Sequence, residues 1–262
     1  MRKQHLLRSS LLLLISITCN TLWAADTLTF FSKSTNSSDL IPVRISNNAK
    51  ASKGYAIKMN TADDYTGKAV NSGNGSYEDN EIWYLVGDSS SFKMYSHKAG
   101  SGLALTLSGV GEGAVATLQP TGTELCLTAY DDNSYAISPK GNTSQSFNMY
   151  GEAGRDIRLY ASDAPNSRWI IKRIDMSKAL TLNYNAQLEG GYEQNYKIGH
   201  LAITIDGSTS TSLLNKRDIY RSSSRTCYLP EGSQFSITVG QMCHGWTMNI
   251  NGGAGIATQE LP

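Results

Sequence analysis

Histidine, cysteine and long apolar runs are all scarce in this 262-residue chain, and each scarcity excludes something. There are four His, and past the first turn of the chain only His97, His200 and His244 remain. None has a second His or a Cys pair at metal-ligand spacing, so no zinc or comparable cofactor site is indicated. Cys243 and His244 are adjacent, which on a strand sends them to opposite faces and denies them a nucleophile–base pairing. No Gly-x-Ser-x-Gly elbow and no phosphate loop is present. Paired carboxylates for glycoside hydrolysis assemble from distant positions, and none of the 22 acidic residues nominates a partner. Excess charge is missing too: the formal net charge is +1, which speaks against a nucleic-acid partner, for which a basic patch is needed. Helix-period apolar patterns are nearly absent. Ser, Thr, Asn and Gly are abundant, a composition that fits an extracytoplasmic all-β protein.

The one apolar run, Leu11 to Ile17, sits behind Arg2, Lys3 and Arg8 and ahead of Trp23-Ala24-Ala25. It is too short to span a bilayer and reads as the core of a secretory signal peptide over residues 1–24. The expected location is therefore secreted or extracytoplasmic, in a periplasm or at a cell surface, with no transmembrane segment. Cys19 offers an alternative, a lipoprotein anchor, although Thr18 before it suits that processing poorly. Removing the leader leaves about 238 residues with 20 Lys and Arg against 22 Asp and Glu. Cys126, Cys227 and Cys243 then remain. Cys227 and Cys243 flank the turn Pro230-Glu231-Gly232 and read either as a disulfide pinning two strands or as two buried free thiols.

What the chain has in quantity is short strands. The stretch from Ser146 to Ile174 carries three: Phe147 to Tyr150, Ile157 to Tyr160, and Trp169 to Ile171. They are separated by turns at Gly151, Gly154, Asp163, Pro165 and Asn166. Alternating apolar residues between such turn formers are the signal for strands in tight connection. Trp169 is the landmark. Trp83 lies 86 residues before it, twice 43, and Cys126 falls midway. Nine residues beyond Trp83 and beyond Cys126, strands open at Phe92 and Tyr135, both after Asp/Ser/Asn turns. A threefold repeat of about 43 residues follows, spanning roughly 40–175, with Trp83, Cys126 and Trp169 as the core residue near the end of each unit.

Three four-stranded units, each with a large residue near its end, resemble the ricin-type β-trefoil lectins, in degenerate form. The resemblance covers about Leu40 to Ile174. It implies a barrel and a triangular cap about a pseudo-threefold axis, which removes most free sheet edges. It also implies a shallow sugar site in each unit. A carboxylate or amide takes paired ring hydroxyls, an aromatic face covers the apolar C–H patch, and an Asn precedes the Trp. Carried across, the third unit offers Asn148, Tyr160 and Asn166. The first offers Asn71, Tyr77 and Asn80, a weaker set. The second has Thr106, Leu118 and Thr123, and reads as dead. The Gln of the family's Gln-x-Trp motif is replaced by Glu81, Glu124 and Ser167. The bland alternative is that Tyr160 is a half-exposed strand residue and the Asn residues are turn formers.

Residues 25–39 read as a leading segment with a strand at Leu28 to Phe31. From about 176 to 252 a second strand rhythm begins, and a small antiparallel, sandwich-like β domain is expected there. Residues 253–262 read as a flexible tail, which would suit a chain that continues into a catalytic domain. The functional expectation is a secreted, non-catalytic binding protein for a glycan or glycoprotein, or the accessory part of a glycan- or protein-processing enzyme. The alternatives are a secreted hydrolase with an unrecognised active site, or an adhesin-type interaction protein without a small-ligand site.

Overall fold

The computed structural model describes residues 29–60, 69–71, 76–100, 102–151, 154–186, 201–205, 211–212, 223–239, 246–250 and 256–257. The signal-peptide residues, Cys19 and Cys243 lie outside them. The first thirteen strands are β1 (Phe31–Ser32), β2 (Pro42–Asn47), β3 (Ile57–Met59), β4 (Ala69–Asn71), β5 (Ile82–Asp88), β6 (Ser91–Ser96), β7 (Ala104–Leu107), β8 (Ala116–Gln119), β9 (Leu125–Ala129), β10 (Tyr135–Pro139), β11 (Gln145–Met149), β12 (Ile157–Ala161) and β13 (Trp169–Arg173).

Six of these close on themselves. The neighbours run β5, β2, β13, β10, β9, β6, and β6 pairs back to β5. The first and fourth strand of each unit thus build a barrel with no free edge. The second and third strands form three hairpins, β3–β4, β7–β8 and β11–β12. The hairpins meet through the bridges Val70↔Asp156 and Val115↔Arg158, which tie the three units into one cap. The architecture is a β-trefoil.

The register corrects one expectation. Trp83 pairs with Val43, Leu125 with Phe92 and Trp169 with Tyr135. On their other sides the same three pair with Ser96, Pro139 and Asn47. The core position of the second unit is therefore Leu125, not Cys126. Trp83, Leu125 and Trp169 are all fully buried, whereas Cys126 is partly exposed. Successive residues of a strand face opposite sides, so counting one residue too far put the wrong side chain inside. The two Trp make matching bonds: Nε1 of Trp83 donates to the carbonyl of Ile57, and Nε1 of Trp169 to that of Phe147, each at 2.8 Å. The fourth strands of the first and third units are thereby fastened to the second strand of their own unit.

The leading segment is part of this body. Its strand is β1, slightly later than expected, and it runs parallel to β5 with Phe31 beside Leu85. The ring of Phe31 lies 5.4 Å from that of Phe92, and Phe30 lies 5.8 Å from Tyr135. Two aromatic side chains thus join the core cluster from the chain before the first repeat.

The remaining strands are β14 (Leu180–Ala186), β15 (Leu201–Ile205), β16 (Thr211–Ser212), β17 (Ser223–Cys227), β18 (Phe235–Val239), β19 (Trp246–Ile250) and β20 (Ile256–Ala257). They form two antiparallel sheets, β17-β14-β19-β20 and β16-β15-β18. Ile256 and Ala257, read as tail, pair with Met248 and Thr247 on β19. The segment after β17 is joined to the trefoil: the amide of Tyr228 donates to the carbonyl of Tyr77 at 2.7 Å and that of Glu231 to Arg173 at 2.7 Å. Cys227 is a free thiol, fully buried, and its Sγ lies 4.0 Å from the carbonyl oxygen of Ser76. Of the two readings for Cys227 and Cys243, the disulfide is not supported: Cys227 packs its side chain against the trefoil as a free thiol, burial pushes its pKa up, and Cys243 lies outside the described residues.

Candidate functional site

The β11–β12 hairpin has two faces because a strand alternates. Phe147, Met149, Ile157 and Leu159 point into the core and are buried. Asn148 lies opposite Arg158, and Ser146 opposite Tyr160, so these four share the outer face. The chain then turns at Gly151, whose φ of +78° is the left-handed conformation a glycine adopts without strain. After β12, Pro165 opens a short 3-10 turn, Pro165–Ser167, which folds back over the hairpin. Ser167 is fully buried. Its Oγ accepts from Nδ2 of Asn148 at 2.8 Å and donates to the carbonyl of Ala161 at 2.8 Å. The carbonyl of Asn166 accepts from Nδ2 of Asn47 at 2.9 Å. Hairpin, turn and barrel are thus locked together without relying on surface side chains.

Between hairpin and turn lies an open cleft of about 360 Å³. Asn148, Tyr160 and Asn166, chosen from the sequence as one site, all line it, together with Tyr150 and Pro165. Tyr160 is 40 % exposed and Tyr150 is 53 % exposed. Among the described residues these are two of only three large apolar side chains so exposed, and both face this one cleft. Tyr150 was missed from sequence. The signal was there: an aromatic immediately before a turn glycine, one strand period beyond Asn148. The cleft's described lining holds no carboxylate, thiol or imidazole.

The architecture that carries the cleft can now be set beside other proteins. No family model matches the chain, and no curated protein does. Solved structures do match. The ricin B-like lectin of Macrolepiota procera, in complex with lactose, is 16% identical with a TM-score of 0.42, over 50% of this chain and 93% of that one. The designed threefold-symmetric protein ThreeFoil is 18% identical with a TM-score of 0.43, over 50% of this chain and 96% of that one. The Rhizoctonia solani agglutinin is 16% identical with a TM-score of 0.40, over 50% and 94%.

Among the described residues, the first unit does not set its Asn beside an exposed aromatic: Asn80 lines a separate opening of about 470 Å³ with Glu78, Asp79 and Arg225. Tyr77 is 6 % exposed, and the guanidinium of Arg44 lies 3.9 Å from its ring centroid, so it has no face left for a ligand. Arg44 is buried with Glu81: its Nε donates to Oε2 at 2.8 Å and its Nη2 to the carbonyl of Gly54 at 2.7 Å. Oε1 of Glu81 accepts from the amide and hydroxyl of Ser76. Asn80 is 6 % exposed. The side chain of Asn71, which pairs with Ile57, lies outside the described set. Strand β17 covers this unit: Arg225 donates to the carbonyl of Ser76 at 3.2 Å and lies 3.2 Å from Glu78.

In the second unit the corrected register puts Thr123, not Glu124, two residues before the core position. Its Oγ1 accepts from the amide of Leu107 at 2.9 Å. Thr106 turns its hydroxyl to the carbonyl of Ala104, and Leu118 is buried. Glu124 points outward to Lys140, whose ammonium lies 3.1 Å away and holds the carboxyl below its usual range. Among the described residues no cluster of three His, Cys, Asp or Glu is placed to hold a metal. The one imidazole in view, His97, accepts or donates at Nδ1 to the Tyr84 hydroxyl at 2.6 Å. Burial lowers the pKa of His97, the carboxylate of Asp79 opposing that shift.

Proposed function

We propose that this chain is a carbohydrate-binding protein that engages one sugar in the cleft of its third unit. The observation that carries this reading is the convergence of Asn148, Tyr160 and Asn166 with an exposed Tyr150 on a single open cleft. A saccharide ring presents an apolar C–H face and a rim of hydroxyls. An exposed Tyr ring matches the first, and amide groups match the second. The cleft is held open by bonds among its supporting residues, so little ordering is needed on binding. A lining without carboxylate, thiol or imidazole supports a binding role over a hydrolytic one. An extracytoplasmic location, which the signal-peptide reading favours, is where glycans and glycoproteins are displayed. An accessory role beside a glycan- or protein-processing enzyme fits the same chemistry.

The test is saccharide binding by the purified chain, read on a glycan array and quantified by calorimetry, for wild type and Tyr160→Ala. Losing the stacking face should weaken binding by roughly tenfold or more. Undiminished binding by Tyr160→Ala would remove this cleft as the site. Absence of binding to any saccharide would remove the function.

A further inference from the structure

A second cleft adjoins the first. It has a volume of about 600 Å³ and shares Tyr150 and Gly151 with the sugar cleft, so those two residues form the wall between them. Its far side is built by Gly154, Arg155, Asp156 and Arg158. Arg158 is the direct cross-strand partner of Asn148, on the same outer face as Tyr160. Side chains so paired lie roughly 5 Å apart at Cβ. The guanidinium of Arg158 also lies 5.4 Å from the centroid of the Tyr150 ring. Its side chain is 40 % exposed and its contact with Asp156 is 3.5 Å, at the outer limit of a hydrogen bond. Arg155 lies across the turn from Gly151: a Cβ added there would stand 3.3 Å from its Cγ. Among the described residues the second cleft therefore presents two guanidinium groups against one carboxylate, beside a first cleft that presents amides and phenol rings.

We infer that the ligand is an acidic saccharide, whose neutral ring sits against Tyr160 and whose carboxylate or sulfate, on the same or the adjoining sugar, is taken by Arg155 and Arg158. This rests on the carbohydrate reading of the third unit. The chemistry is specific, because a planar guanidinium meets a carboxylate or sulfate through two parallel N–H···O bonds, which a lysine or an amide does not reproduce. The shared wall at Tyr150 lets one ligand touch both clefts without crossing a gap.

The experiment is a printed array of matched oligosaccharides, each neutral chain beside its sialylated, sulfated or uronic-acid form, probed with the purified chain. Bound pairs are then quantified for wild type, Arg155→Gln, Arg158→Gln, Arg158→Lys and Tyr160→Ala, each checked for folding by near-UV circular dichroism. The acidic member of a pair should bind at least about tenfold more tightly than its neutral parent, and raising NaCl should erode that difference. Arg155→Gln and Arg158→Gln should each remove most of the preference, read as the ratio of acidic to neutral affinity within a pair. Arg158→Lys should keep part of it, and Tyr160→Ala should weaken both members. Equal affinity within pairs, or a preference that survives both Gln substitutions, overturns the inference and leaves the site standing. Binding that ignores Tyr160→Ala, or no saccharide binding at all, overturns the site and the inference together.

Discussion

Replacing Glu81 by Gln isolates the one fully buried ion pair in the described chain. The pair joins β2 to the start of β5, and both side chains are at most 4 % exposed. Gln is nearly isosteric and keeps an acceptor for the Ser76 amide and hydroxyl. What it removes is the charge facing Arg44. The Arg44 guanidinium then stays buried with the Gly54 carbonyl and the Tyr77 ring as its remaining partners. Breaking a buried pair from one side costs about 3–5 kcal/mol, because an uncompensated charge is left in low dielectric. The two surviving contacts offset part of that, so a loss of about 3 kcal/mol is expected. For a chain of this size it corresponds to a fall in Tm of roughly 6–12 °C. Urea unfolding at unchanged m is the assay. The double variant Arg44→Met, Glu81→Leu should lose less than the sum of the singles, since it leaves no orphaned charge. A Glu81→Gln loss below about 1 kcal/mol would refute the reasoning and mean that water reaches Arg44.

Trp169→Ala should cost about 3–5 kcal/mol in the same assay, since it removes a fully buried side chain and the bond that fastens β13 to β11. Gly87→Ala should cost more than 2 kcal/mol: the backbone there has φ +133°, and the added Cβ would collide with the carbonyl oxygen of Ser91. The carboxyls of Asp88, Asp132 and Asp175 are each held below the usual range, chiefly by the hydroxyl of the Ser two residues on. Such groups favour the folded state above their unfolded pKa and cease to as pH falls through the lower folded value. Urea midpoints should therefore be flat from pH 7 to about pH 5 and fall below about pH 4. Cys227 should resist alkylation in the native chain and react on unfolding, and reductant should leave Tm unchanged; mass spectrometry and a thermal melt check both.

The threefold repeat was legible because turn chemistry and strand alternation are local. Its exact register was not. The same Asp-x-Ser turn recurs at Asp88, Asp132 and Asp175, 44 and 43 residues apart, and in each the Asp oxygen accepts from the Ser amide. Yet the buried residue lies five, seven and six positions before that Asp in the three units. Strand lengths absorb the difference, so a fixed period of 43 lands one residue beyond Leu125. In a structure that alternates every residue, that single step exchanges core for surface. Cys126 satisfied the count and a plausible burial rule, but only the pairing of Leu125 with Phe92 distinguishes the two. The part played by β1 escaped for a different reason. A parallel contact between Phe31 and Leu85 spans more than 50 residues and leaves no periodic trace.

The same long-range contacts explain why, among the described residues, the third unit is the one that sets an exposed Tyr beside its Asn pair. Each unit needs a side chain two residues before its core position to hold the second strand or the turn. Ser167 does so with a hydroxyl small enough to leave Asn148 at the edge of the cleft and Tyr160 above it. Thr123 does so by taking the amide of Leu107, while the strand opposite presents the buried Leu118. Glu81 does so by drawing in Arg44, which then caps Tyr77, and β17 packs against the same unit through Arg225. Sequence alone showed Glu81 and Ser167 as equivalent losses of one Gln. Their consequences diverge because a carboxylate in the core requires a cation, and the cation consumes the aromatic face that a ligand would have used. The third unit escapes this because a neutral hydroxyl is satisfied by a backbone carbonyl and an amide already at hand.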